Sequence, residues 1–293
     1  MQFKELYPSM KKKYKLGIYE KAFPEHMSIF EMLMEAKYAG YDYLEMSIDR
    51  TDAKINRVYD INIQNQILSA IKEAEFPIES VCLSAHSLYC IGSEDPDIRE
   101  KALDIFRHCL DFCLRLNIRL IQIAGYDVNK SESSPLTRRY FDQNIRKMVE
   151  WASICGITLA LENMDTEFMD TVLKATNWVK KINSPYMQIY PDSGNIMNAS
   201  YLNRMSYIDD MKTGIGHYVA FHVKEARPGK YGGLFYGEGN VDFNQLIPLA
   251  YRLGVRRFVM EFWCTDINRW KDNLIEAKAF FYKRINVNNY CNV

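Results

Sequence analysis

Stretches in which apolar residues recur every three or four positions alternate along the chain with short apolar runs, and the junctions repeat one kind of punctuation. Four times a helical pattern ends in Gly or Asn and a strand-like run follows at once: Ala39-Gly40-Tyr41, Leu116-Asn117-Ile118, Cys155-Gly156-Ile157 and Leu253-Gly254-Val255. Gly and Asn tolerate the left-handed backbone that closes a helix, so each junction predicts a helix end feeding a strand. Pro77 and Pro185 close two more helical patterns. Ser28 with Glu31 has the spacing of a capping box, and Asp95-Pro96 sets an N-cap side chain before a proline at the first helical position. The pattern predicts strands over 14–19, 41–47, 78–85, 118–125, 157–162, 187–191, 218–223 and 257–262. Helices are predicted over 28–39, 62–75, 96–116, 137–155, 171–183, 203–213, 244–253 and 269–284. Eight alternations with no linker between them imply parallel strands joined by helical crossovers. We therefore expect an α/β fold, one closed (β/α)8 TIM barrel over 1–293, with a short N-terminal extension (about 1–13) and a C-terminal tail (about 286–293). An open doubly wound sheet would more typically have fewer strands and a Gly-rich phosphate turn after the first, and no G-x-G-x-x-G follows strand 1.

Period-two alternation says which side chains enter the barrel. In strand 5, Thr158, Ala160 and Glu162 share the inward face, opposite Ile157, Leu159 and Leu161. The same parity sets Asp192 after Gln188 and Tyr190, His222 after Ala220 and before Lys224, and Glu261 between Val259 and Trp263. The intervals are 30 (162 to 192), 30 (192 to 222) and 39 (222 to 261), each about one strand-plus-helix unit. Four polar side chains thus reach equal heights on strands 5 to 8, at the C-terminal face where barrel enzymes place their chemistry. Three carboxylates and an imidazole without a thiolate suit a divalent cation such as Zn, Mn, Co or Mg, which would also relieve their mutual repulsion. His86 ends strand 3 and is inward by parity, whereas His26, His108 and His217 are read as structural. After strand 7, Lys224, Arg227 and Lys230 precede a glycine-rich stretch to Gly239, where such folds often hold a phosphate; Lys224 shares the register of His222.

Composition narrows the partners. Lys plus Arg (37) cancels Asp plus Glu (37), so nothing draws the whole chain to nucleic acid or an anionic bilayer. No apolar run approaches a membrane span, and Met1 to Lys13 lacks the apolar core of a secretory signal, so a cytoplasmic location is expected. Seven cysteines without a C-x-x-C pair indicate neither a disulfide framework nor a zinc ribbon.

Several segments resemble the bacterial L-ribulose-5-phosphate 3-epimerases, also called L-xylulose-5-phosphate 3-epimerases, which serve ascorbate and pentose breakdown within the xylose-isomerase-like barrels. They are Leu16-Gly17-Ile18-Tyr19-Glu20-Lys21-Ala22, Glu45-Met46-Ser47, Cys82-Leu83-Ser84-Ala85-His86, Ile121 to Val128 and Tyr190-Pro191-Asp192-Ser193-Gly194-Asn195. His222-Val223-Lys224, Phe235 to Gly239, Val241-Asp242-Phe243 and Glu261-Phe262-Trp263 extend the likeness over about 14–285. The resemblance implies that Glu162, Asp192, His222 and Glu261 bind one divalent metal, and that Glu162 and Glu261 also exchange protons with a ketopentose 5-phosphate. Such a reaction inverts C3, whose hydrogen the C2 carbonyl acidifies, through an enediolate. His86, Asn195, Lys224 and Arg227 are the expected substrate contacts, and such barrels are often homodimers.

The chain departs from the free-ketose 3-epimerases at two points: Asn195 stands where they usually carry His, and Arg227 only approximately matches their substrate Arg. Together with the basic loop this favours a phosphorylated ketose. The alternatives are a free-ketose 3-epimerase, an aldose–ketose isomerase on the same barrel and, more remotely, a non-catalytic sugar-binding protein. A DNA nuclease of this fold would need more histidine and a basic face.

Overall fold

A computed structural model describes residues 13–285; the predicted tail, and all of the predicted extension but Lys13, lie outside the described residues. The strands are β1 (Lys15–Tyr19), β2 (Tyr43–Ser47), β3 (Ile78–Leu83), β4 (Leu120–Ala124), β5 (Thr158–Glu162), β6 (Met187–Ile189), β7 (Phe221–Lys224) and β8 (Arg257–Glu261). All pair in parallel in the order β6-β5-β4-β3-β2-β1-β8-β7. The two ends meet through single parallel bridges, Ile189 with Tyr218 and Asp192 with His222, so the sheet closes into the expected barrel. The helices are α1 (Ile29–Ala39), α2 (Asp52–Tyr59), α3 (Ile61–Ala74), α4 (Pro96–Arg115), α5 (Pro135–Cys155), α6 (Val172–Ile182), α7 (Ser193–Asn203), α8 (Tyr207–Lys212), α9 (Phe243–Arg252) and α10 (Trp270–Ile285). No helix among the described residues is long and apolar enough to cross a membrane.

The punctuation does what its chemistry requires. Gly40, Asn117, Gly156 and Gly254 all have positive φ, and Ser28 and Glu31 close a reciprocal capping box at the start of α1. Alternation sorts the strand side chains into two packed layers. Tyr19, Tyr43, Cys82, Leu120, Ala160, Tyr190, Ala220 and Val259 fill the barrel interior. Leu159, Leu161, Ile189, Phe221, Val223, Phe258 and Met260 pack outward in the larger cluster shared with the helices.

Two helices depart from expectation. The predicted helix 203–213 is instead the end of α7 followed by α8, separated at Arg204, whose φ is 52°. The body of α7 has no amphipathic stripe because Ser193 to Ala199 are buried in succession, so no 3.6-residue period marks it. The short, polar α2 shows too little apolar spacing to stand out, yet it carries a buried anchor: both terminal nitrogens of Arg57 donate to Glu20, at 2.6 and 2.8 Å. Lys54 pairs with the same carboxylate, and the Ser47 amide donates to it at 2.8 Å. This network ties the end of β1 to the end of β2.

Burial works against the charge on Glu20, but Arg57 and Lys54 overcome it and hold the pKa at about 2 instead of 4.5. Because the folded value lies below the unfolded one, the stabilisation is complete above pH 4.5 and fades as pH falls toward 2. It amounts to about 3 kcal/mol, of which about 2 kcal/mol is gone by pH 3. Urea unfolding of wild type and Glu20→Gln from pH 7 to pH 3 should show the gap between them narrowing by that amount; a gap independent of pH would contradict this account.

Candidate active site

The ends of β5, β7 and β8 and the residue after Pro191 bring Glu162, Asp192, His222 and Glu261 together, all buried, with one potential ligand atom from each lying within 4.8 Å of the others. Each arrives by the inward parity of its strand. Asp192 also caps α7, its Oδ1 accepting from the Asn195 amide at 2.7 Å. The Asn163 side chain accepts from the Asp192 amide at 2.9 Å, while the Asn195 side chain donates to the Asn163 carbonyl at 2.7 Å. These bonds hold the rim between β5 and β6 rigid.

His222 is the hub. Its Nδ1 lies 2.9 Å from Glu162 Oε1 and 3.2 Å from Glu261 Oε2, and its Nε2 lies 2.6 Å from Glu45 Oε1. Burial favours the neutral ring, but Glu261, Glu45 and Glu162 outweigh it and raise the pKa well above 6.5. Lys224 Nζ sits 3.0 Å from Asp192 Oδ1 and 3.9 Å from Glu261 Oε2. Burial disfavours its charge, and Asp192, Glu261 and Glu162 restore and strengthen it. Burial likewise pushes Asp192 up to about 6, against the pull of Lys224.

The set fits a divalent cation. Asp192 Oδ2 and Glu261 Oε2 are buried oxygens that accept no hydrogen bond, although each belongs to a group crowded among other carboxylates. Buried acceptors without a hydrogen-bond donor are costly, and a bound cation would satisfy both. Three oxygens and one imidazole nitrogen suit hard and borderline divalent ions.

Three contributors escaped the sequence reading of the site. Glu45 lies inside the barrel on β2 and accepts from His222 Nε2, from Tyr190 at 2.8 Å and from Ser80 at 2.6 Å. It thereby turns Nδ1 toward Glu162, Asp192 and Glu261, as the outer carboxylate of a metal-binding histidine does. Gln122 on β4 donates to Glu162 Oε2. Glu225 accepts from the amides of Gly237 and Val241, at 2.8 and 3.2 Å, and so pins the glycine-rich loop; a Cβ at Gly239 would lie 2.2 Å from the Ala226 carbonyl oxygen.

The expected substrate contacts scatter. Asn195 and Lys224 line the cluster, and Lys224 is buried against Asp192. Arg227 is exposed in a tight turn with Lys230. His86 corrects the parity reading: β3 stops at Leu83, and a 3-10 turn from Ser84 to Ser87 breaks the alternation. Its Nε2 is 3.1 Å from the Ala102 carbonyl of α4, so the ring is turned to the helix layer, and burial lowers its pKa to about 4.

Known proteins share this architecture. The xylose isomerase-like TIM barrel family model matches residues 33–284. L-ribulose-5-phosphate 3-epimerase UlaE of Shigella boydii is 38% identical over 278 residues, covering 94% of this chain and 96% of that protein. Its namesake in Escherichia coli O157:H7 is 38% identical over 256 residues, covering 87% and 89%. Among solved structures, D-allulose 3-epimerase from Methylomonas sp. shares the fold with a TM-score of 0.76 at 18% identity, over 93% of this chain and 98% of that one. An L-ribulose 3-epimerase does so at 0.72 and 17%, over 93% and 94%. At 94% coverage and 38% identity to a curated relative, the chain belongs to the xylose isomerase-like TIM barrels and, within them, to the L-ribulose-5-phosphate 3-epimerases.

Proposed function

We propose that this protein inverts C3 of a ketopentose 5-phosphate, interconverting L-ribulose 5-phosphate and L-xylulose 5-phosphate, with Glu162 and Glu261 as the acid and base. The observation that carries this reading is the convergence of those two carboxylates, from different strands, on one nitrogen, 2.9 and 3.2 Å from His222 Nδ1. Inversion needs a proton taken from one face and returned to the other, and two carboxylates from strands three apart in sequence order supply both faces. Glu162, Asp192, His222 and Glu261 would hold one divalent ion, Zn, Mn, Co or Mg. When bound, such an ion supplies positive charge against the negative charge that gathers on the substrate's carbonyl oxygen. Gln122 holds Glu162 at Oε2, so Oε1, the oxygen next to His222 Nδ1, is the one turned to the reacting centre for proton exchange. Lys224, fixed between Asp192 and Glu261, adds a permanent cation next to the reacting carbons.

The test is solvent exchange. In D₂O the metal-loaded enzyme should introduce deuterium at C3 of L-ribulose 5-phosphate while the two epimers equilibrate, and chelation should stop both. Deuterium at C1 with aldose formation would instead assign an aldose–ketose isomerase, and binding without any exchange would assign a sugar-binding protein.

A further inference from the structure

A sugar must reach side chains that the fold has nearly sealed. Of Glu162, Asp192, His222 and Glu261, none is more than 7% exposed. Bringing several sugar atoms against them therefore requires some covering element to give way. The connection between β7 and α9 is placed to be that element. It leaves the barrel just after His222 and Lys224, and two consecutive residues of it reach opposite sides of the arc that supplies the four side chains. Tyr231 lines a cavity with Asp165, Asp170 and Asn195, beyond β5 and β6. Gly232 lies against Trp263, just past the end of β8; a Cβ there would stand 3.3 Å from the indole. Residues 231 and 232 thus cross the mouth of the barrel over the cluster. Burial, then Asp165 and Asp170, push the pKa of the Tyr231 hydroxyl up and Lys224 pulls it down, so the ring sits close enough to sense the cation of the site.

This connection is anchored at its ends and exposed in its middle. The buried Glu225 carboxylate accepts from the amides of Ala226, Gly237 and Val241, at 3.1, 2.8 and 3.2 Å. The Asn240 amide donates to the Ala226 carbonyl at 2.8 Å. Tyr236 donates to the Val223 carbonyl at 2.6 Å and packs its ring on Phe262 and Phe280. Between the buried Ala226 and the buried Leu234, every residue from Arg227 to Gly233 is exposed or only half-buried. Within that stretch Arg227 and Lys230 exchange both of their amide-to-carbonyl bonds around Pro228-Gly229, with Gly229 at φ 74°. Proline followed by a left-handed glycine is the signature of a type II turn, so the tip is a stiff unit that moves as one piece. Gly233, at φ 69° with nothing within 4 Å of where a Cβ would stand, joins this unit to the anchored end. Glycine can leave the left-handed region as easily as it enters it.

We infer that Arg227–Gly233 is a flap over the reacting centre, hinged at Gly233 and footed on Glu225, and that Tyr231 is the side chain that seals it. Open, the flap admits the cation and the sugar. Closed, it keeps bulk water from the proton that Glu162 or Glu261 has just taken, which is what loop closure over an active site accomplishes. The inference rests on the epimerase reading above only for the sugar that closes the flap; the argument from access needs the buried cluster alone.

Hydrogen–deuterium exchange of the Zn²⁺-loaded protein, followed by mass spectrometry on peptides spanning 227–233 and 237–241, separates flap from anchor. L-ribulose 5-phosphate at about a hundred times its calorimetric Kd should slow exchange in 227–233 by about tenfold or more, of the roughly hundredfold that such saturation can impose, and leave 237–241 unchanged. Equal exchange in 227–233 with and without bound sugar, or protection confined to 237–241, overturns the flap. A second measurement uses no sugar. Transfer of Zn²⁺ from the protein to excess chelator should be about tenfold faster in Tyr231→Ala, the shift expected when a half-buried ring is lost from the closed state. Equilibrium Zn²⁺ affinity should stay at the wild-type value, and Tyr231→Phe, which keeps the ring, should release Zn²⁺ like wild type. Release at the wild-type rate in Tyr231→Ala, or faster release matched by an equal loss of affinity, rejects Tyr231 as the seal. A sugar that fails to bind counts against the epimerase reading, and the Zn²⁺ measurement then decides the flap by itself.

Discussion

Glu162→Gln and Glu261→Gln should each cut inversion at C3 by about 10² to 10⁴ in kcat, the range a positioned acid or base contributes, yet leave opposite traces in D₂O. With one carboxylate gone, the other can still remove a proton from its own face and return deuterium to that face. One variant should therefore wash deuterium into one epimer without inverting it, and the second variant should do so with the other epimer. The geometry underlies this asymmetry: Glu162 and Glu261 approach His222 Nδ1 from strands separated around the barrel by β6 and β7, and neither can cover both sides of a carbon between them. Both residues also offer ligand atoms to the cation, so metal content must be measured in the same samples. Asp192→Asn is the control, since it weakens the ligand set without touching either proton-transfer group. Residual exchange into the same epimer in both variants, or undiminished inversion in either, would refute the two-carboxylate mechanism.

What made this site readable in advance was geometry of a simple kind. A strand's side-chain period is two, so Ala160 and Glu162, or Val259 and Glu261, had to share a face, and strand-plus-helix intervals of similar length set the four tips at one height. That period lapses where the strand itself ends. His86 lies beyond Leu83, in a 3-10 turn that rotates it toward Ala102. Parity extends only as far as the ladder that enforces it. Helix α7 was hidden for a related reason, since a helix buried all round presents no stripe, and the burial comes from neighbours contributed by β7 and the loop after β5.

Ion pairing was harder to read than position. Lys224 was correctly placed on the inward face, but alternation says nothing about what lies opposite, and its partner Asp192 is 32 residues earlier in the chain. The basic count in the loop after β7 suggested anion binding there. The structure divides those charges, sending Lys224 inward to the carboxylates and leaving Arg227 in solvent.

Glu45 had a signal that went unused: Tyr43, Glu45 and Ser47 alternate on the inward face of β2, and an acid in the middle of a strand bound for a barrel interior must find donors. It finds three, and removing it should have the largest structural consequence of any single change at the site. Glu45→Ala leaves His222 Nε2 and the Tyr190 and Ser80 hydroxyls buried without their acceptor. Breaking a buried charged pair of this kind costs about 3 to 5 kcal/mol, which urea unfolding of the chelated protein would report. Glu45→Gln keeps an oxygen for Nε2–H but presents an amide to two hydroxyls that must then turn round, so its stability loss should be smaller. Its effect on the cation should remain large. A histidine whose outer nitrogen no longer donates to a carboxylate is less basic at the inner one, and metal affinity falls by about 10- to 100-fold. Direct titration of the chelated protein with Zn²⁺ or Mn²⁺ separates the two effects: Glu45→Gln with wild-type metal affinity would reduce Glu45 to a packing residue, whereas weakened binding in a folded Gln variant identifies it as the group that aims His222 at the site.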